Sequence, residues 1–266
     1  MNKVNYGIAV LTYNHPEISK KCLDSVLKLK NEHTPIFIIH NGSDAKNILL
    51  LKNHFPDLIH VILEKNKGYS GGVNFALKTV FEKFDHALFL TNDIEVLKLP
   101  DIIPLGFSSV QILKRNTVNL DSVMGSIDIK QGRLSHIKTT DELNQKKISQ
   151  HLYIPGSAFW INLQTFNLLS GFDESFHTYW EDVDFSYRAN LQKINLNYDP
   201  STLVKHKIGK TCHKNDFYTY YLFQRNRKKF MIKHQLTSCL FWFRFMYDIL
   251  KVCKYRFSYL WRIVYE

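Results

Sequence analysis

The chain has 266 residues, 45% of them hydrophobic, which is enough apolar material for a full core; this excludes a disordered chain and predicts one domain with an appendage, or two small domains. Its four cysteines, Cys22, Cys212, Cys239 and Cys253, form no CxxC pair, so neither a zinc site nor a disulfide framework is expected and a reducing cytosol fits best. The net charge of +11 is confined to one end: residues 1–204 carry 21 Lys+Arg against 21 Asp+Glu, whereas residues 205–266 carry 14 against 3, so the front has no electrostatic reason to bind nucleic acid.

The chain opens on an apolar run, Tyr6 to Thr12, with no basic flank or small-residue cleavage site, and reads as a strand and not as an export signal. Pro16 then starts a helix whose apolar positions are Ile18, Cys22, Val26 and Leu29. The alternation continues with a strand at Ile36–Ile39, a helix at Ala45–His54, a strand at Leu58–Leu63, a helix at Gly72–Phe84 and a strand at Ala87–Leu90. Such a rhythm predicts an α/β fold with a parallel sheet covered by helices on both faces. Beyond Leu99 it weakens, and residues 105–150 show only short strand-like stretches around Val110 and Met124.

A polar cluster follows each of the four strands: Thr12, Tyr13 and Asn14; His40, Asn41, Gly42 and Ser43; Asn66 to Gly72; and Asn92, Asp93 and Glu95. Loops after strands are polar in any protein, but the carboxyl ends of parallel strands share one edge, so these four clusters converge on one crevice. In the third, Gly68, Gly71 and Gly72 precede the expected helix, where they suit either a phosphate cradle or a flexible turn; the spacing matches neither a Walker loop nor GxGxxG. In the fourth, Asp93 and Glu95 are oxygen ligands of the kind Mg²⁺ or Mn²⁺ takes, and they share a face if the strand continues; a solvated turn is the alternative.

A later segment concentrates further signal: GSAFWIN, GFDESF and YWEDVDFSYR, with Glu181, Asp182 and Asp184 set among Tyr179, Trp180 and Phe185. Carboxylates buried beside one another gain proton affinity, which suits a general base; equally, acidic residues favour a helix N-terminus.

The ordered set LTYN (11–14), HNGS (40–43), NKGYSGGVN (66–74), TND (91–93), GFDESF (171–176) and EDVDFSYR (181–188) resembles the inverting family-2 glycosyltransferases, especially their bacterial rhamnosyltransferase-like branch, over roughly residues 6–230. The resemblance implies a glycosyltransferase A-type, Rossmann-like nucleotide-binding domain with a mixed central sheet over residues 1–213, then a helical extension over 214–266. It implies a nucleotide-diphosphate sugar as donor and a glycan or lipid-linked acceptor, in surface polysaccharide synthesis. On it, Thr12, Tyr13, Asn41 and Ser43 line the nucleotide, with Asn14, Asn66, Gly68, Gly71, Gly72, Asn74 and Asn92 joining them as donor contacts. Asp93 takes a divalent metal (Mg or Mn) with Glu95 or His206, Asp182 is the catalytic base, and Arg225 and Asn226 match an Arg-Asn pair whose role stays open. Two positions depart from the pattern. His40 stands where an aspartate is usual, and Thr91 where an acidic or amide residue is usual. A sugar nucleotidyltransferase and a nucleic-acid binder working through the basic tail are the alternative readings.

In the tail, Leu236 to Tyr265 is largely aromatic and aliphatic, with Arg244, Asp248, Lys251, Lys254, Ser258 and Arg262 along one helical stripe and Arg256 off it. Charges this frequent exclude a spanning helix. A wide apolar face with a basic stripe suits the inner surface of a membrane, placing the protein in the cytoplasm and peripherally attached. The same pattern also fits a helix packed on the catalytic domain or on a second subunit of a homodimer.

Overall fold

A computed structural model describes residues 6–31, 33–114, 119–146, 151–206 and 217–253. The first half alternates as expected: β1 (Tyr6–Thr12), α1 (Pro16–Leu27), β2 (Ile36–Asn41), α2 (Ala45–His54), β3 (Ile59–Leu63), α3 (Gly68–Phe81) and β4 (His86–Thr91). β1 pairs in parallel with β2 and β4, and β2 with β3. All seven residues of β1 are buried, because the strand is covered on both faces and alternate side chains enter different cores. Ala9, Leu11, Phe37, Ile39, Ala87 and Phe89 pack on Val73, Ala76, Leu77 and Val80 of α3. Ile8, Val10, Ile36, Ile38, Leu88 and Leu90 pack on Cys22, Leu23 and Val26 of α1.

After β4 the sheet becomes mixed. The chain turns at Asn92–Asp93 into β5 (Ile94–Lys98), then forms β6 (Phe107–Leu113), β7 (Leu120–Ser122), β8 (Met124–Asp128), β9 (Arg133–Ile137), α4 (Thr140–Lys146), β10 (His151–Tyr153), β11 (Ala158–Asn162) and α5 (Leu163–Leu168). The last elements are α6 (Glu181–Leu191), β12 (Leu196–His206), α7 (Phe217–Lys233) and α8 (Cys239–Cys253). Among the described residues the large sheet runs β3-β2-β1-β4-β11-β6-β12-β5, with β7 on β6. β11 inserts antiparallel between β4 and β6, and β12 is parallel to β6 but antiparallel to β5. A small antiparallel sheet, β10-β8-β9, stands beside it. The central sheet is therefore mixed, as the family resemblance implies, and the purely parallel expectation holds only for β1 to β4.

The expected helix at Gly72–Phe84 begins one turn earlier, at Gly68, and ends at Phe81. Its early start has a tertiary cause: the carbonyl of His177, more than a hundred positions away, accepts the Tyr69 N–H at 2.7 Å and the Ser70 N–H at 3.2 Å. These are first-turn donors that would otherwise be orphaned.

The expected domain boundary at 213/214 lies outside the described residues, as do the basic positions Lys254, Arg256 and Arg262 of the tail. What is described of the tail is docked. Phe241, Phe245 and Ile249 of α8 are buried in one cluster with Trp180, Val183, Tyr187, Tyr221 and Phe230. Arg244 and Asp248, expected on a solvent- or lipid-facing stripe, are instead paired: Arg244 Nε reaches Asp248 Oδ2 at 3.2 Å, and buried Arg227 of α7 reaches the same oxygen at 2.8 Å. No described helix is long and apolar enough to cross a membrane. Because Phe245 is 2% exposed and Phe243 75% exposed, Phe245→Ala should cost about 3–5 kcal/mol in denaturant unfolding. Phe243→Ala should stay within about 0.5 kcal/mol of the parent.

Candidate active site

The carboxyl ends of β1 and β2 come together, but much of their polar equipment is turned on the protein itself. Thr12 is buried and donates its hydroxyl to the Ile39 carbonyl at 3.1 Å. Asn14 stands at φ 50°; its N–H donates to Ser43 Oγ and its Oδ1 accepts from Asp44 N–H and Asn47 Nδ2, each at 2.9 Å. Asn41 is buried, accepts the Lys67 N–H at 3.0 Å and donates to the Gly68 carbonyl at 2.8 Å and to Asn66 Oδ1 at 3.2 Å. Asn66 Oδ1 also receives the Gly68 N–H at 2.8 Å. Tyr13, at 41% exposure, is the large apolar surface presented at this edge.

His40 is wholly buried and continues a chain of hydrogen bonds. His60 Nε2 lies 2.9 Å from the Phe55 carbonyl, which can only accept, so that nitrogen carries the proton. A neutral His60 then offers a bare Nδ1 to His40 Nε2–H at 2.9 Å, and His40 Nδ1 faces Thr12 Oγ1 at 3.4 Å. Burial, then the nearby His60 and Lys52, lower the His40 pKa to about 4, so this pair is neutral at physiological pH.

Three expectations need correction here. The glycines of 68–72 do not leave a cradle for phosphate: a Cβ on Gly68 (φ +69°) would lie 2.3 Å from His177 Nδ1, one on Gly71 would lie 2.7 Å from the Lys67 side chain, and one on Gly72 would lie 2.9 Å from Asn41 Nδ2 and Leu11. They let the start of α3 pack against the protein. Asn74, also expected at the donor, is buried and clamps the GFDESF segment. Its Oδ1 accepts the Phe172 N–H at 2.7 Å, and its Nδ2 donates to the Phe172 carbonyl at 2.8 Å and to Glu174 at 3.0 Å. Glu95 does not join Asp93, because the turn at Asn92–Asp93 separates them; Glu95 lines a cleft with Lys21, Asp24, Ser25 and Lys28 beside α1. Asn92 supports that turn by donating to Ser19 Oγ at 2.9 Å.

Asp93 and His206 do meet, across 113 positions of chain: His206 Nε2 is 3.0 Å from Asp93 Oδ2. Thr91 donates to the other carboxylate oxygen at 2.6 Å, so the unusual Thr91 orients Asp93. Burial would raise the Asp93 pKa, but the bond and charge of His206, with Thr91, outweigh it and hold it below the ordinary value. Burial likewise would lower His206, and Asp93 raises it. Among the described residues no three His, Cys, Asp or Glu side chains form a metal-holding group.

The acidic segment assembles on the other side of Tyr69. Asp182 accepts the Gly156 N–H at 2.9 Å on Oδ2 and the Val183 N–H at 2.8 Å on Oδ1. Burial raises its pKa, and those backbone bonds only partly counter this. Glu181 is 6% exposed and its Oε2 has no hydrogen-bond partner among the described residues; burial, then the charge of Asp182, raise its pKa well above the ordinary 4.5. Tyr69 donates its hydroxyl to the Gly156 carbonyl, and the pKa of that phenol is raised by burial and by Glu181, Asp182 and Asp93 together. The adjoining Ser157 carbonyl accepts the Thr91 N–H at 2.9 Å. The dipeptide Gly156–Ser157 therefore links the Asp93 turn to the Asp182 carboxylate. Tyr69 and Gly156 were not expected as site residues, although both lie within the segments NKGYSGGVN and GSAFWIN.

Comparison with known proteins gives this arrangement its context. The sequence model of the family described as glycosyl transferase family 2 matches residues 8–105. The matched stretch, residues 8–105, is a family-2 glycosyltransferase domain. Over 241 residues the chain is 25% identical to the rhamnosyltransferase WbbL of Escherichia coli K12, covering 78% of this chain and 84% of that protein. Its fold is of glycosyltransferase A type. The structure of GalNAc-T7 with UDP, GalNAc and Mn²⁺ matches with a TM-score of 0.61 at 15% identity, covering 82% of this chain but only 47% of that one, so the chain spans about half its length. The mannosyltransferase PcManGT of Pyrobaculum calidifontis, in complex with GDP-Man and Mn²⁺, matches with a TM-score of 0.57 at 10% identity over 97% of this chain and 77% of that one.

The raised Glu181 pKa has a consequence for stability. Above pH 4.5, the ordinary glutamate value, the folded state holds a proton that the unfolded state has released, so stability falls with rising pH until the raised folded-state pKa is passed. Glu181→Gln removes that titration. Thermal unfolding from pH 5 to 8 should show the parent losing stability relative to the variant as pH rises; parallel curves would show that Glu181 keeps an ordinary pKa.

Proposed function

We propose that this glycosyltransferase is an inverting enzyme that moves a sugar from a nucleotide-diphosphate sugar to a hydroxyl of a glycan or lipid-linked acceptor in surface polysaccharide synthesis. The observation that carries this reading is the joint placement of Asp93–His206 and Asp182 around Tyr69 and the Gly156–Ser157 link. Two acidic centres with opposite pKa directions suit two tasks, one anionic ligand and one proton acceptor.

On this reading the donor lies across the ends of β1, β2 and β4, with its base against Tyr13. Asp182, whose proton affinity burial raises, takes the acceptor hydroxyl proton as that oxygen attacks the anomeric carbon. The new carbon–oxygen bond forms as the bond to the diphosphate breaks, and attack from the opposite side inverts the configuration. The donor set at Asp93 fits a divalent ion: a carboxylate oxygen and an imidazole nitrogen stand 3.0 Å apart, leaving other positions to diphosphate oxygens and water. Mg²⁺ or Mn²⁺ there would neutralise the departing diphosphate. The relative WbbL is named a rhamnosyltransferase, which makes a deoxyhexose the first donor to try.

The acceptor side is proposed to meet an anionic membrane through α8. Its inward face is docked, but Leu240, Trp242, Phe243, Met246, Tyr247 and Leu250 are exposed on the other, 40–75% each. The charge of the tail segment, 14 Lys+Arg against 3 Asp+Glu over residues 205–266, supplies attraction to an acidic bilayer. An outward face that is apolar suits insertion among lipid headgroups, and it suits a nucleic acid poorly.

Three measurements test these assignments. Asp182→Asn should retain nucleoside-diphosphate binding within about twofold and lose at least 10²-fold in transfer, the scale of general-base catalysis; transfer at the parent rate would exclude Asp182 as the base. Asp93→Asn should weaken stimulation by Mn²⁺, whereas Glu95→Gln should leave it unchanged. For membrane docking, the Phe243→Asp/Leu250→Asp double variant should stay folded and hydrolyse donor like the parent, yet no longer sediment with phosphatidylglycerol vesicles. Equal sedimentation of parent and variant overturns the docking face, and a parent dimer that the variant dissociates makes it a subunit interface.

A further inference from the structure

The residue that holds the acidic segment in place comes from α7. Between the short 3₁₀ turn Glu174–Phe176 and the start of α6, the backbone passes through three non-glycine residues at positive φ: His177 at 61°, Tyr179 at 69° and Trp180 at 72°. Such conformations are costly for residues with a Cβ, and side chains as large as these persist there only when the surroundings over-determine the path. Trp180 is the residue on which α6 begins, so the direction in which Glu181 and Asp182 leave the turn is set by this stretch.

What over-determines it is Asn226. This side chain is wholly buried, and its Nδ2 lies 2.7 Å from the Phe176 carbonyl, 2.7 Å from the Thr178 carbonyl and 2.9 Å from the Tyr179 carbonyl. The two N–H groups of one amide are thus shared among three backbone acceptors of the turn. The His177 carbonyl, between them, points the other way and caps α3 through the N–H groups of Tyr69 and Ser70. Tyr69 then bonds the Gly156 carbonyl, and the Gly156 N–H bonds Asp182. The contacts close a ring that starts at Asn226 and ends on the carboxylate the turn delivers.

We infer that Asn226 is a positioning residue for transfer: it fixes the strained 176–180 turn so that Asp182 is presented at the Gly156 N–H. This inference rests on the proposed role of Asp182 as base, and the closing experiment separates the two. The hydrogen bonds of Asn226 go to the 176–179 turn and not to the proposed donor contacts or the Asp93 turn, so its loss should act on turnover and not on donor affinity.

The test uses the full chain and measures nucleoside diphosphate released from UDP-glucose, dTDP-rhamnose or GDP-mannose, whichever the parent hydrolyses fastest. Asn226→Asp, which keeps the shape and replaces the donating amide by an acceptor, should lower kcat at least tenfold with KM for the donor within about twofold. Asn226→Ser, which keeps one donor, should fall between parent and Asn226→Asp. Its pH–rate profile should move to lower pH on the acid limb, since an Asp182 released toward water loses the burial that raises its pKa. A merely structural role would lower the amount of folded enzyme without moving that limb. Both variants folded and at the parent's kcat and acid limb would overturn the inference, and so would failure of both to fold, which would make Asn226 a folding residue. Asp182→Asn is run beside them: if it hydrolyses donor at the parent rate, the base assignment fails whatever Asn226 does. If it is inactive while the Asn226 variants match the parent, only the positioning role fails.

Discussion

Buried Glu181 and half-buried Asp182 set two adjacent carboxyl groups side by side, and an ionised carboxylate in such a place is costly unless donors meet it. Asp182 has two, in the N–H groups of Gly156 and Val183, whereas Glu181 Oε2 has none among the described residues. The Gly156 donor is in turn placed by contacts from elsewhere: Tyr69 bonds the carbonyl of the same residue, and Thr91 bonds the carbonyl of the next. A Cβ at Gly156 would sit 2.5 Å from the Tyr69 hydroxyl and 3.4 Å from Asp182 Cβ, so this link has room for glycine alone. Burial, then the charge of Asp182, raise the proton affinity of Glu181, because two buried charges side by side are worse than one. The arrangement of α3, β4, β11 and α6 around that dipeptide follows from keeping one carboxylate ionisable there.

The strand ends were legible from the order of apolar runs and polar clusters, because a parallel sheet must bring the carboxyl ends of β1, β2 and β4 to one edge. What each polar side chain does there was not legible. Asn74 is two residues past Gly72 in a segment that reads as ligand-binding, yet its partners are Phe172 and Glu174, about a hundred positions away. No local pattern encodes that. The glycines of 68–72 mislead for the same reason: sequence shows that something must come close to the backbone, and only the fold shows that it is His177, Lys67, Asn41 and Leu11. The family resemblance implies Asp93 with His206, and the two meet; strand periodicity predicts Asp93 with Glu95, but Asp93 lies in the turn that precedes β5 and not on the strand with Glu95.

The tail shows how charge counts and charge placement differ. Summed over residues 205–266 the basic excess is large, but Arg227 and Arg244 both close on Asp248, and Arg227 also lies over the rings of Phe241 and Phe245 at 5.6 and 5.9 Å. Arg227 fastens α8 to α7, Arg244 pairs with Asp248 within α8, and cation–π contact from Arg227 adds to the packing of the two aromatic rings. A helix with apolar residues on both faces cannot be oriented by periodicity alone. Here the buried Asp248 pair chooses the inward face and leaves Phe243 and Leu250 outside.

Glu181, Asp182 and Asp184 lie within four positions, yet successive helical residues are turned by about 100°, so Asp182 and Asp184 face nearly opposite ways. Asp184 looks toward the end of α7, where Lys233 and His234, with Arg188 one turn on in α6, surround it at 2.7–2.8 Å. Burial alone would raise its pKa, but those partners outweigh it and keep Asp184 charged. Asp182, two residues earlier, has only backbone donors and shifts the other way. A structural carboxylate and a chemically useful one thus come from the same short motif, separated by which face of α6 the strained turn at 177–180 directs toward Gly156. That turn is held by neither carboxylate, so the choice between anchoring and chemistry is made outside the motif, in the path of the backbone that enters it.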